Sequence, residues 1–245
     1  MTVLIYHRVG GGSASEIDLS PERFDEQLAW LNEHHRVLSL DDAVAELLDP
    51  PSDPEPAVVI TFDDGTADFV EHAVPVLERH RTPATLYVGT GYVEDGRTWP
   101  GDAPAVSWTA LADSLSTGVV DIGSHTHDHL LLDRATPADI VDQLDRSIDL
   151  IGERLGVRAR HFAYPKAVAG NEAADASVRD RFDSAALAGT RSNAWGSTDV
   201  HRLARSPIQV SDGMRWFRRK AVGGMRFEDD LRRGLNRLRY RGRVD

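Results

Sequence analysis

The sequence predicts an α/β fold with a mostly parallel sheet in a single domain, and three observations predict it. Short β-branched runs alternate with longer amphipathic segments, the pattern of repeated strand–helix units. Val58-Val59-Ile60-Thr61-Phe62 runs straight into Asp63-Asp64-Gly65, which reads as a buried strand delivering two acids at its C-terminal end. At 245 residues, with no internal repeat and no convincing linker, the chain suits one barrel-sized domain.

Taken in order, Val3 to Tyr6 is a short strand followed by His7 and the loop Gly10-Gly11-Gly12. Ser20-Pro21-Glu22 starts a helix, with serine as cap and proline at the first helical position, and Phe24, Leu28 and Leu31 mark its apolar face. Arg36 to Leu38 is a brief strand, and Leu40 to Leu48 a second helix. After the central strand, Ala67 to His80 has a helical stripe of Val70, Val74 and Leu77 that Pro75 must kink or divide. Ala84 to Val88 is a strand, Trp108 to Leu115 a helix, and Val119 to Ile122 a strand running into Gly123-Ser124-His125-Thr126-His127-Asp128-His129. Thr136-Pro137-Ala138-Asp139 opens a helix whose stripe is Ile140, Leu144, Ile148 and Ile151. His161 to Ala163 and Ser184 to Leu187 complete the strands.

Composition narrows the chemistry. There are no cysteines, so no disulfide frame or thiolate site exists, and any metal must be held by histidine and carboxylate. The formal charge is −11, but residues 214–245 hold ten Arg and one Lys against four acids. An acidic body of this kind argues against nucleic acid as a partner. Lys166 and Lys220 are the only lysines; a high-salt organism and a GC-rich genome both fit that bias. No apolar run approaches the roughly 20 residues of a membrane span, and the N-terminus reads as a strand rather than a signal peptide. The expectation is a cytoplasmic protein.

Two clusters carry candidate chemistry. Successive strand side chains alternate, so Asp63 and Asp64 face different ways, and one can bind a cation while the other handles a proton. The competing reading is a solvated Asp-Asp-Gly turn. His125, His127 and His129 share one face if the segment is extended, whereas a turn or helix pairs His125 with His129. Either arrangement gives two imidazoles to one ion, and a carboxylate completes a site with open positions for water and substrate.

Thr61-Phe62-Asp63-Asp64-Gly65, then Ser124-His125-Thr126-His127-Asp128-His129, then Arg160-His161-Phe162-Ala163-Tyr164-Pro165 resemble, in order, three motifs of the polysaccharide deacetylases, the NodB-homology carbohydrate esterases of family 4. The likeness extends from Tyr6-His7-Arg8-Val9 to Leu203-Ala204-Arg205-Ser206-Pro207. It implies a distorted (β/α) barrel over residues 1–213, with 214–245 as a basic extension packed on the barrel or on a membrane surface. It further implies one divalent ion, zinc first with cobalt or nickel as alternatives, held by Asp64, His125 and His129. Asp63 would be the general base, oriented or charge-balanced by Arg160. The backbone at Tyr164 and Pro165 would help hold an oxyanion, and Arg205 would line the site. Two departures stand out. Ala167 replaces the glycine that closes the third motif, and the late Leu-x-His motif that supplies the acid is missing. Leu4-Ile5-Tyr6-His7 offers a replacement, as if that strand were permuted to the N-terminus, making His7 the general acid.

The expected activity is removal of acetyl from an N-acetylated sugar in a polysaccharide, oligosaccharide or lipid-linked glycan. The alternatives are a cyclic-amide hydrolase on the same fold and a catalytically silent glycan-binding module. In the tail, Leu231, Leu235 and Leu238 follow helical spacing among basic residues, so 214–245 reads either as a barrel cover or as a peripheral contact with the inner membrane face. Trp99 and Trp195 are candidates for stacking on a sugar ring.

Overall fold

The computed structural model describes residues 1–224. In chain order the elements are β1 (Thr2–Tyr6), α1 (Pro21–His34), β2 (Arg36–Leu38), α2 (Leu40–Leu48), β3 (Ala57–Phe62), α3 (Val74–His80) and β4 (Ala84–Val88). Then come α4 (Thr90–Asp95), a small antiparallel hairpin of β5 (Thr98–Trp99) and β6 (Ala103–Pro104), α5 (Trp108–Ser116), β7 (Val120–Ser124) and α6 (Pro137–Leu155). β8 (His161–Ala163), α7 (Glu172–Arg181), β9 (Ser184–Ala188), β10 (Leu203–Pro207) and α8 (Gly213–Ala221) follow.

Among the described residues, seven parallel strands in the order β1-β3-β4-β7-β8-β9-β10 close into a barrel when β10 pairs back onto β1. β3 is its best-connected stave. One edge pairs with β1 from Thr2↔Val58 to Tyr6↔Phe62; the other pairs with β2 along Ala57–Val59 and with β4 along Ile60–Phe62. Because all seven strands run the same way, their C-terminal ends open at one mouth, where barrels of this kind place their chemistry.

The local signals explain where the helices start. Ser20 accepts from the Arg23 N–H ahead of α1. Thr136 and Asp139 form a reciprocal capping box on α6. The helix expected over 67–80 runs without a break but is widened in the middle: Phe69–Ala73 makes a π-turn and α3 continues it from Val74. The π-turn lies just ahead of Pro75, which has no N–H to bond back into the helix, so the proline distorts the helix rather than ending it.

Strand alternation sorts the core into two apolar clusters. Val58, Ile60, Phe62, Leu86 and Phe162 face out under the helices with Phe24, Leu28, Ile140 and Leu144. Val3, Val59, Tyr87, Ala163, Ala186 and Leu203 face in, where Leu40, Ala43, Val44 and Leu47 of α2 close the lower end. His161 sits at that lower end, bonded to Ser184 Oγ at 2.9 Å and to Asp41 Oδ1 at 2.7 Å. Burial, reinforced by Arg160, pushes its imidazole down to about 4. His161 is therefore a neutral packing group.

The C-terminal helix docks on the barrel wall. Phe217 and Ala221 are buried, and Phe217 meets Trp30 edge-on at 5.9 Å. Lys220, also buried, donates to both Asp212 carboxylate oxygens at 2.7 Å and to the Pro207 carbonyl at 2.8 Å, tying α8 to the end of β10. Leu231, Leu235 and Leu238 lie outside the described residues. No helix among the described residues is long and apolar enough to cross a membrane.

Candidate active site and metal centre

The β1–β3 register sets the first pair of site residues. Tyr6 lies opposite Phe62, and the Asp63 N–H donates to the Tyr6 carbonyl at 3.0 Å, so His7 and Asp63 leave their strands side by side. Alternation carries the Asp63 side chain into the barrel. Asp64 follows with φ 75°, a left-handed turn that sends its carboxylate towards the mouth instead. Gly65 completes the turn at φ 92°, where a Cβ would come within 2.9 Å of the Val88 side chain; no larger residue fits.

β7 supplies the histidines. His125 and His129 converge through an irregular turn rather than a helix, with Thr126 at φ 64° and His129 at φ 57°. Asp64 Oδ1 lies 3.7 Å from His125 Nε2 and 3.6 Å from His129 Nε2. These separations exceed a hydrogen bond but match neighbouring ligands around an ion that binds each at about 2.0–2.2 Å. His125 Nδ1 meets the Ala163 carbonyl at 2.7 Å, which makes Nδ1 the donor and leaves the Nε2 lone pair facing the cluster. Burial, followed by the neighbouring His125, pushes His129 down to about 3, keeping it neutral. Burial also raises the Asp64 carboxyl above its usual range. The three residues turn donor atoms towards one another in a set that fits one cation.

Asp63 is held by Arg205, which is completely buried. The guanidinium grips both carboxylate oxygens, Nη1–Oδ1 at 2.6 Å and Nη2–Oδ2 at 2.8 Å, and Nη1 also donates to Thr61 Oγ1 at 3.0 Å. Burial alone would push Asp63 up; the charges of Arg205 and His125 outweigh it and hold the carboxyl below the usual carboxylate range. Asp63 is thus a fixed carboxylate, 4.0 Å from His125 Nε2 and outside the three-donor set.

These groups open onto a cleft of about 810 Å³ lined by His7, Arg8, Asp63, Asp64, His125 and His129. Tyr92, Trp99 and Pro100 form an apolar wall, and Lys166, Ala167 and Ala169 face the cleft from the loop after β8. The His7 Nδ1 atom is buried and has no hydrogen-bond partner among the described residues.

Several sequence expectations need correction. Arg160 does not reach Asp63. It precedes β8 and so lies at the opposite end of the barrel, paired with Asp41 and 3.7 Å from Asp183. Arg205, expected to line the cleft, sits beneath Asp63 and takes the role expected of Arg160. The oxyanion contact expected at Tyr164 and Pro165 is not available there. The Tyr164 N–H donates to the Ala186 carbonyl at 3.1 Å, and proline has no N–H. His127 turns away from the other two histidines and bonds Thr90 Oγ1 at 3.0 Å. Trp195 packs against the lower apolar cluster, whereas Trp99 does line the cleft. The loop change at Ala167 leaves the backbone left-handed: Lys166 has φ 52° and Ala167 φ 54°, a conformation that glycine would adopt without strain.

The cleft residues Arg8, Tyr92 and Lys166 had no sequence signal of their own. Arg205 had one: an arginine amid the small and apolar residues Leu203, Ala204 and Pro207 is a buried charge in need of a partner.

The chain is similar to known proteins in sequence and in fold. YxkH of Bacillus subtilis (strain 168) is 24% identical over 210 residues, covering 84% of this chain and 72% of YxkH. A poly-β-1,6-N-acetyl-D-glucosamine N-deacetylase of Staphylococcus aureus is 27% identical over 170 residues, 66% of this chain and 58% of that enzyme's length. Among solved structures, IcaB from Ammonifex degensii superposes with a TM-score of 0.78 at 26% identity, covering 91% of this chain and 96% of that one. Residues 51–182, more than half of the chain, match the family described as polysaccharide deacetylase. On that match the chain belongs to the polysaccharide deacetylase family.

Proposed function

We propose that this protein is a metal-dependent hydrolase that removes the N-acetyl group from an N-acetylated glycan. The observation that carries the reading is the convergence of Asp64, His125 and His129 beside Asp63 and His7 at the cleft floor. The staphylococcal relative supports an N-acetylglucosamine polymer as substrate. Asp64, His125 and His129 would hold one divalent ion, zinc by donor type, with cobalt or nickel as alternatives. Bound there, such an ion would supply Lewis acidity towards the amide carbonyl and lower the pKa of water.

The chain's own residues supply the proton transfers. Asp63, kept ionised and fixed by Arg205, accepts the proton of the attacking water. His7, brought to the same level by the β1–β3 register, donates a proton to the departing nitrogen as the C–N bond breaks. The products are acetate and a free amino sugar. Tyr92 and Trp99 give the cleft an apolar wall against which a sugar ring can lie and from which water is excluded. The intact Asp–His–His set speaks against a metal-free cyclic-amide hydrolase and against a silent binding module.

Elemental analysis tests the metal part. Protein purified without chelator or metal-affinity steps should carry about one zinc, cobalt or nickel ion per chain, and His125→Ala should lose it. A wild type that contains none, and takes up none on titration, would sink the reading.

A further inference from the structure

The two histidines at the metal centre are anchored by different means. His125 has the usual device, a ring nitrogen bonded to a backbone carbonyl. Among the described residues no hydrogen-bond partner meets the His129 ring. It packs instead edge-to-face on Trp99, with ring centroids 5.2 Å apart and planes at 88°. Its backbone is in the left-handed region, which a non-glycine residue holds only when its surroundings insist.

Those surroundings form a closed circuit. Trp99 stacks flat on Tyr92, with centroids 3.7 Å apart and planes at 8°. Arg97 lies over the other side of Tyr92 at 4.6 Å. Its Nη2 bonds Asp128 Oδ1 at 2.5 Å, and its Nε donates to the Gly91 carbonyl at 3.2 Å. Asp128 is the residue before His129, and Gln143 secures it through its backbone N–H at 2.7 Å and its Oδ2 at 2.9 Å. The circuit thus leaves the histidine loop at Asp128 and returns to it at the His129 ring. Gly91 makes room for it: a Cβ there would stand 2.1 Å from Arg97 Nη2.

We propose that Arg97, acting through Asp128 on one side and the Tyr92–Trp99 stack on the other, is the positioning residue that holds His129 in its ligating orientation and so sets metal affinity. This rests on the metal-site reading above. A planar guanidinium is required, because lysine can keep the charge pair with Asp128 but cannot lie flat on Tyr92 and bond Gly91 at the same time.

The test is cobalt(II) binding to the full chain, read by chelator competition and by the visible d–d spectrum, with the melting temperature of the metal-free protein measured alongside. Arg97→Gln should weaken cobalt binding about 10–100-fold and change the spectrum. Arg97→Lys should fall between that variant and wild type. Trp99→Leu should act in the same direction, and the Arg97→Gln/Trp99→Leu double variant should lose less than the two single losses combined, as members of one circuit do. Arg154→Gln, which breaks a surface pair with Glu94, is the control and should bind as wild type does. Wild-type affinity and spectrum in Arg97→Gln, or a fall only in the metal-free melting temperature, overturns the inference. Failure of the wild type itself to bind cobalt overturns the metal-site reading instead.

Discussion

Arg205→Met should be among the most destabilising single substitutions in this protein, at about 3–5 kcal/mol in urea unfolding at neutral pH. Arg205 is fully buried and its bidentate partner Asp63 is nearly so. Removing the guanidinium leaves a carboxylate that is only 4% exposed without its charge partner. The double variant Asp63→Leu/Arg205→Met, which removes both charges, should recover most of the loss. The pH dependence should reverse as well. In the wild type the Asp63 carboxyl is depressed, so its stabilisation is complete above the ordinary carboxylate pKa near 4 and is lost as pH falls through the lowered folded value. In Arg205→Met the largest charge opposing burial is gone, the carboxyl rises, and acidification from neutral pH narrows the gap to wild type by protonating it. A single variant as stable as wild type would show that the pair does not hold the barrel interior together.

Asp63→Asn should lower kcat by about 10²–10⁴-fold, the usual contribution of a general base, while metal content stays near that of wild type. The separation follows from geometry, because Asp64, His125 and His129 form the donor set and Asp63 stands outside it, gripped by Arg205. The asparagine leaves Arg205 without its anion, so the variant must be assayed well below its lowered melting temperature. Substantial activity would remove Asp63 from the role of base. Loss of the metal along with activity would place Asp63 among the ligands.

Much of this architecture was legible because one strong local signal marked each part. The β-branched run of β3 ends at two acids, the histidine motif follows β7, and serine or threonine with proline marks the starts of α1 and α6. Elements without such signals escaped. α7 buries only Ala174 and Val178, too few apolar residues to show a stripe. β10 interrupts its apolar pattern with Arg205, whose burial makes sense only once Asp63 lies opposite. The exchange of Arg160 for Arg205 has the same origin. Closeness to a motif along the chain placed Arg160 at the site, but parallel strands put residues before a strand at the far end from residues after one. The His129 circuit is likewise a product of topology, since Arg97 and Asp128 meet only because the α4–β5 segment folds over the mouth beside β7.

Acetate release tests the central claim most directly. Wild type stripped with a chelator and reloaded with zinc would be incubated with a β-1,6-linked N-acetylglucosamine oligomer, and free acetate and new primary amine measured together. Equal, time-dependent release of both by the zinc-loaded protein is expected, with none from the stripped protein or from His125→Ala. No acetate from the zinc-loaded wild type on this or other N-acetylated glycans, or undiminished release from His125→Ala, would contradict a deacetylase that works at this site.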